Sequence, residues 1–205
     1  MGRYAHLAYT DSVRLVQEEQ GSAAAVARAL RQGSDPETLS DADTAFIESR
    51  DGFYLASVSE TGWPYVQFRG GPPGFVHVLD ERTLGFADVR GNRQYITTGN
   101  VRADGRVALF LMDYPERARL KIFGRAETLS LTEDPALTER LCAVRTDGRP
   151  ERLMIIRVEG TNWNCHQHIT PRYSAVELEV ALGPLRDRLT ALEEENARLR
   201  ARLTG

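Results

Sequence analysis

Nine basic side chains fall between Arg82 and Arg125 against four acids, a local balance of +5. Guanidinium groups grip phosphate bidentately, and the free amides of a helix N-terminus favour the same charge. Asn92-Arg93, at an expected helix start, joins both features. The competing reading of these charges is a solvated, salt-bridged face. Gln67 sits at an inward position of an expected strand, where a buried amide needs a partner and a ligand can supply one. Further along, Cys165, His166 and His168 bring soft and imidazole donors close together. Such donors ligate zinc or iron. His6 and His77 are isolated, however, and no second cluster completes a set, so no metal is expected. His166 or His168 instead offers a proton donor near neutral pH.

These residues need a scaffold, and the chain reads as four zones. Up to about residue 50 it is helical, with a break near Gly21-Ser22. Ser40 with Asp43 resembles a capping box that opens a helix through Phe46 and Ile47. Six short strands are expected over 53–59, 65–68, 75–79, 83–86, 106–112 and 119–125. Glu60-Thr61-Gly62 turns the first hairpin, and Gly70 to Gly74, with two prolines, must be a loop. Asn92 is expected to cap a short helix through Tyr95 and Ile96. Six strands at this spacing favour a small barrel or sandwich. A helix over 134–145 and a strand over 152–158 follow.

The last zone opens at Pro184, a residue suited to the first turn of a helix. From there Leu185, Leu189, Leu192, Asn196, Leu199 and Leu203 alternate spacings of four and three. That is a heptad seam, and a single Asn at an a position favours a two-stranded parallel register. The tail is therefore expected to form a short coiled coil. The alternative is an amphipathic helix folded back on its own domain.

The whole chain has 205 residues, with 26 Lys+Arg against 29 Asp+Glu and 41% hydrophobic residues. Those proportions fit a soluble globular protein and give no global reason to bind nucleic acid or an anionic membrane. Only Lys121 among the bases is lysine, which codon bias toward arginine explains. Cys142 and Cys165 cannot make a disulfide framework and fit a reducing compartment. No apolar run approaches the roughly 20 residues of a membrane helix, and Met1 to Tyr9 lacks a signal-peptide pattern. A cytoplasmic location is expected.

Four segments taken together carry a resemblance. They are Gly62 to Gly70 (GWPYVQFRG), Leu84 to Gln94 (LGFADVRGNRQ), Arg106 to Leu111 (RVALFL) and Leu120 to Glu127 (LKIFGRAE). In order and spacing they resemble the pyridoxamine 5′-phosphate oxidase-like family of FMN-binding split barrels, over roughly residues 41–173. The resemblance implies a six-stranded split β-barrel, a homodimer, and FMN in a groove between subunits. It places Gln67, Phe68, Arg69 and Gly70 beside the flavin, with Asp88 facing the cofactor. The family's phosphate-gripping Gly-Ser-Arg-Lys segment reads here as Gly91-Asn92-Arg93-Gln94. Arginine is kept and lysine is lost at Gln94, so one charge must come from elsewhere, and Arg69 and Arg119 are the candidates to supply it. Trp163 and Arg172 match a Trp and an Arg that lie near FMN in the oxidases. The substrate phosphate site transfers less well. Leu129 to Arg149 holds no tyrosine, and Arg140 and Arg145 are the nearest basic residues.

The resulting expectation is a mainly β protein with flanking helices. A helical segment covers 1–40, an FMN-binding split-barrel domain 41–175, and a coiled-coil helix 184–205. Its expected function is that of a flavin-dependent oxidoreductase, moving hydride between a small organic substrate and FMN. The alternative is a non-catalytic module that binds flavin, haem or a deazaflavin as a sensor.

Overall fold

A computed structural model describes residues 2–31, 33–144, 146–164 and 167–204, apart from the side chains of Ala29 and Thr204. Cys165, His166 and Arg145 lie outside the described residues. Two compact units are present, Met1–Asp113 with Ala118–His166, and Tyr114–Arg117 with Gln167–Gly205.

The first unit begins with α1 (Gly2–Ala8), α2 (Asp11–Glu19), α3 (Ala23–Leu30) and α4 (Asp41–Glu48). Gly21, at φ 73°, separates α2 from α3 where the break is expected. The capping box at α4 is present. Ser40 Oγ accepts from Asp43 N at 3.2 Å, and Asp43 Oδ2 accepts from Ser40 N at 2.9 Å. The strands are β1 (Gly52–Val58), β2 (Pro64–Gly70), β3 (His77–Asp80) and β4 (Thr83–Val89), followed by α5 (Ile96–Ala103). Then come β5 (Arg106–Asp113), β6 (Ala118–Leu129), α6 (Pro135–Cys142) and β7 (Pro150–Asn164).

All seven strands form one antiparallel sheet in the order β2-β1-β5-β6-β7-β4-β3. This corrects the six-strand expectation. The strand predicted over 152–158, left outside the six, is the longest strand and joins β6 to β4. It runs the full length of β6, so its first half pairs with two neighbours at once.

The sheet curls strongly. Phe53 of β1 and Phe86 of β4 are four strand steps apart, which is about 19 Å in a flat sheet. Their ring centroids are 5.6 Å apart, edge to face. A bulge helps the bend, because Phe123 pairs with Gly160 while Gly124 pairs with Val158, leaving Glu159 extra. At that point Gly124 is required. A Cβ there would stand 2.8 Å from the Arg157 carbonyl oxygen. Inside the curl, Leu55, Leu84, Leu111, Leu120, Ile122 and Ile156 are completely buried. Leucine and isoleucine alternate with half-buried residues along β5 and β6, the period of two expected of strands with one buried face.

Among the described residues the second unit contains one helix, α7 (Ala175–Thr204). It starts nine residues before the expected Pro184. Ser174 and Glu177 form a reciprocal cap, with Ser174 N donating to Glu177 Oε2 at 2.7 Å and Glu177 N to Ser174 Oγ at 3.2 Å. Pro184 lies inside the helix. Its fixed φ suits a helix, and its cost is one lost hydrogen bond and some crowding of the preceding turn. Among the described residues no helix is long and apolar enough to cross a membrane.

Candidate functional site

β2 alternates outward and half-buried residues, so Tyr65, Gln67 and Arg69 share its inner side. The curl of the sheet brings them to β4 and to the start of α5. There Gln67, Arg69, Asp88, Asn92, Arg93 and Gln94 line one open pocket with Thr97, Thr98 and Arg152. Its cavity volume is only about 50 Å³, well below the roughly 300–1,000 Å³ of whole-ligand sites and closer to the size of a single anionic group.

Asp88 organises the floor. It is buried; its Oδ1 forms an ion pair with Arg69 Nη1 at 2.9 Å, and its Oδ2 accepts from Arg152 Nη1 at 2.8 Å. Arg152 also meets Glu151 at 3.1 Å and lies over the Tyr95 ring at 5.0 Å. Burial works against the charge of Arg152, and the hydrogen bond and field of Asp88 outweigh it, so its pKa rises above the usual guanidinium value. Arg69 Nε is buried and has no hydrogen-bond partner. Gln67 Oε1 accepts from Tyr65 Oη at 3.3 Å and Thr97 Oγ1 at 3.2 Å. The pocket lining thus carries three arginines against one buried carboxylate.

The helix start differs from expectation. Tyr95, not Asn92, is the N-cap of α5, at φ 53°, and its side chain makes no capping bond. Asn92 is held in a local turn instead. Gln94 N donates to Asn92 Oδ1 at 3.1 Å, and Asn92 Nδ2 to Gln94 Oε1 at 3.2 Å. Such side-chain turns compete with helix formation. Arg93, between them, takes φ 64°, a left-handed conformation costly for a side-chain-bearing residue. Both the turn and the strain bring Arg93 to the pocket rim beside the first turn of α5.

Other expected site residues lie elsewhere. Phe68 points to the outer side of β2, exposed and edge-on to Tyr54. Gly70 ends the same strand, where a Cβ would meet the Phe68 ring at 2.9 Å. Arg119 sits on β6 between Met112 and Asn164, with its Nε buried and without a partner. Burial and this neighbouring charge hold the Lys121 pKa below its ordinary value. Trp163 donates Nε1–H to Asp43 Oδ1 at 2.7 Å and meets the Phe46 ring edge to face. Arg172 belongs to the second unit, where its guanidinium lies over the Tyr114 ring at 5.2 Å. Arg140 donates to the Val78 carbonyl at 3.1 Å.

Sequence reading missed Arg152. Its signal lies in pairing, because it stands directly opposite Asp88 in the β4–β7 register.

The comparisons place this geometry in a family. Residues 39–163, more than half of the chain, match the family model described as pyridoxamine 5′-phosphate oxidase. No curated protein matches the chain. Among solved structures, HupZ from Group A Streptococcus is similar at 16% identity and TM-score 0.51, covering 66% of this chain and 99% of its own. A histidine-to-alanine variant of HupZ is similar at 17% identity and TM-score 0.50, covering 61% and 98%. At that identity the likeness is one of fold. From the family model and the fold together, the chain belongs to the pyridoxamine 5′-phosphate oxidase family.

Proposed function

We propose that this protein binds FMN and acts as an oxidoreductase on a small organic molecule, as a homodimer with the flavin at the subunit interface. One observation carries the reading. Arg69 is fixed by buried Asp88, yet its Nε is buried and unpartnered, beside the uncapped first turn of α5. A phosphate monoester satisfies these donors together, because guanidinium N–H groups and helix N-terminal amides both favour a dianion. Arg93 adds a cation from the rim. Gln94, where the family motif has lysine, brings no charge, and Arg152 supports the view that β7 supplies it. The buried carboxylate holds Arg69 and Arg152 in place before any ligand arrives, which lowers the ordering cost of binding.

When bound, FMN supplies hydride chemistry through its isoalloxazine ring, and the protein supplies position and electrostatics. Gln67 turns its amide nitrogen free among the described residues, ready to donate to a ring carbonyl. Phe68, Gly70, Arg119, Trp163 and Arg172 are proposed flavin neighbours across the dimer. The outer face of β1 and β2 supports pairing. Tyr54 and Phe68 are cross-strand partners, Val66 stands two pairs further on and so on the same face, and all three are exposed. A contiguous apolar patch of this kind marks an interaction surface.

The test is direct. Purified protein is expected to be yellow, to release FMN identified by mass spectrometry, and to be bleached by a nicotinamide reductant or substrate and recoloured in air. A colourless protein that takes up no added FMN overturns the cofactor assignment. Bound flavin that stays inert to every reductant overturns the enzymatic half.

A further inference from the structure

We propose that α7 pairs with α7 of a second copy of this chain as a parallel, in-register, two-stranded coiled coil. The helix has 30 residues, about 45 Å of length at 1.5 Å per residue. Leu178, Leu182, Leu185, Leu189, Leu192, Leu199 and Leu203 are between 40% and 86% exposed. Within its own unit this leucine stripe has no apolar partner among the described residues. Ala175 and Asn196 complete its spacing. The seam therefore spans the whole helix rather than only the part after Pro184, with Ala175, Leu182, Leu189, Asn196 and Leu203 at a. Gly183 and Pro184 fall at b and c, away from the contact, where a kink-prone pair does least harm to packing.

The flanking charges identify the occupant as a second copy. In a parallel pair each g residue faces the e residue of the next heptad on the other helix. Arg188 at g then meets Glu193 of the copy, and Glu195 at g meets Arg200 of the copy. Each pair recurs by symmetry. A slip of one heptad sets Arg188 against Arg200 on one side. On the other side it sets Arg188 against Arg186, and Glu195 against Glu193. Like charges facing each other disfavour the slipped registers. An antiparallel pair is disfavoured by Asn196. There a residues pack against d residues, so its amide faces leucine, whereas the parallel pair sets it against the same amide of the copy. Charge, polarity and spacing all favour one arrangement.

The test uses the full-length chain with Cys142→Ser and Cys165→Ser. Leu203→Cys places a thiol at the last a position, and Glu194→Cys places one at an outward f position. Mild oxidation at micromolar protein is expected to give a covalent dimer from Leu203→Cys and at most about a tenth as much from Glu194→Cys. Adding Glu193→Arg and Glu195→Arg is expected to lower the Leu203→Cys cross-link by about tenfold, and further adding Arg188→Glu and Arg200→Glu to restore it. No covalent dimer at position 203, or equal yields at both positions, overturns the pairing. That result is expected if the helix docks elsewhere or takes a different partner. Failure of the charge exchange to restore the cross-link overturns the register. None of these readouts involves flavin.

Discussion

Arg69 and Asp88 form an ion pair of 2.9 Å between strands at positions one and six of a seven-stranded sheet. In a flat sheet those strands lie about 24 Å apart. The pair exists because the sheet curls until its ends face each other, and its place is the pocket. Fold closure and the candidate phosphate site therefore share one buried carboxylate.

Removing that carboxylate should be costly twice. Asp88→Ala leaves Arg69 without its counter-ion and Arg152 with Glu151 alone, and breaking a buried pair from one side costs about 3 kcal/mol or more. Urea unfolding should show the loss, with a smaller one for Asp88→Asn, which keeps an acceptor. FMN affinity should fall in both, because Arg69 is no longer held. Wild-type stability in Asp88→Ala contradicts the role given to the pair.

Trp163 is tied to the fold through Asp43, a buried carboxylate that also caps α4. Trp163→Phe keeps the aromatic contact with Phe46 and deletes the donor. A loss of about 1–2 kcal/mol is expected from the unpaired acceptor. An unchanged urea midpoint contradicts it.

Asp104 provides a pH test away from the pocket. Side-chain and backbone hydrogen bonds from Arg106 hold its carboxyl down to about 2. With a lowered folded pKa, its contribution to stability is present above the ordinary carboxylate range and is lost as pH falls toward about 2. Carbon-detected NMR titration should place Asp104 near this value. In Arg106→Gln the side chain should return toward ordinary aspartate behaviour. A normal titration in the wild type contradicts the assignment.

Local chemistry was legible in the sequence. Ser40 and Asp43 are three residues apart, and their mutual cap needs nothing else. Gly62, at φ 83°, turns the first hairpin as its type demands. Asn92 misled because its side chain has two local uses, helix cap and turn, and the turn prevailed. Ser174 and Glu177 carried a readable capping box, but Pro184 gave the louder start signal and concealed a helix that passes through it. Arg152 was illegible for a different reason. Its role follows from standing opposite Asp88 across strands 64 residues apart, and such registers depend on the closed sheet. The same holds for Arg69, whose basic type was visible but whose orphaned Nε was not.

FMN and riboflavin differ by one phosphate, and comparing their binding tests the site most directly. Fluorescence titration of flavin-stripped protein should show FMN binding about 100-fold more tightly than riboflavin, the value of two charge-assisted hydrogen bonds near 1.5 kcal/mol each. Arg69→Gln should erase most of that preference. Equal affinity for the two flavins, or a preference untouched by Arg69→Gln, contradicts the account.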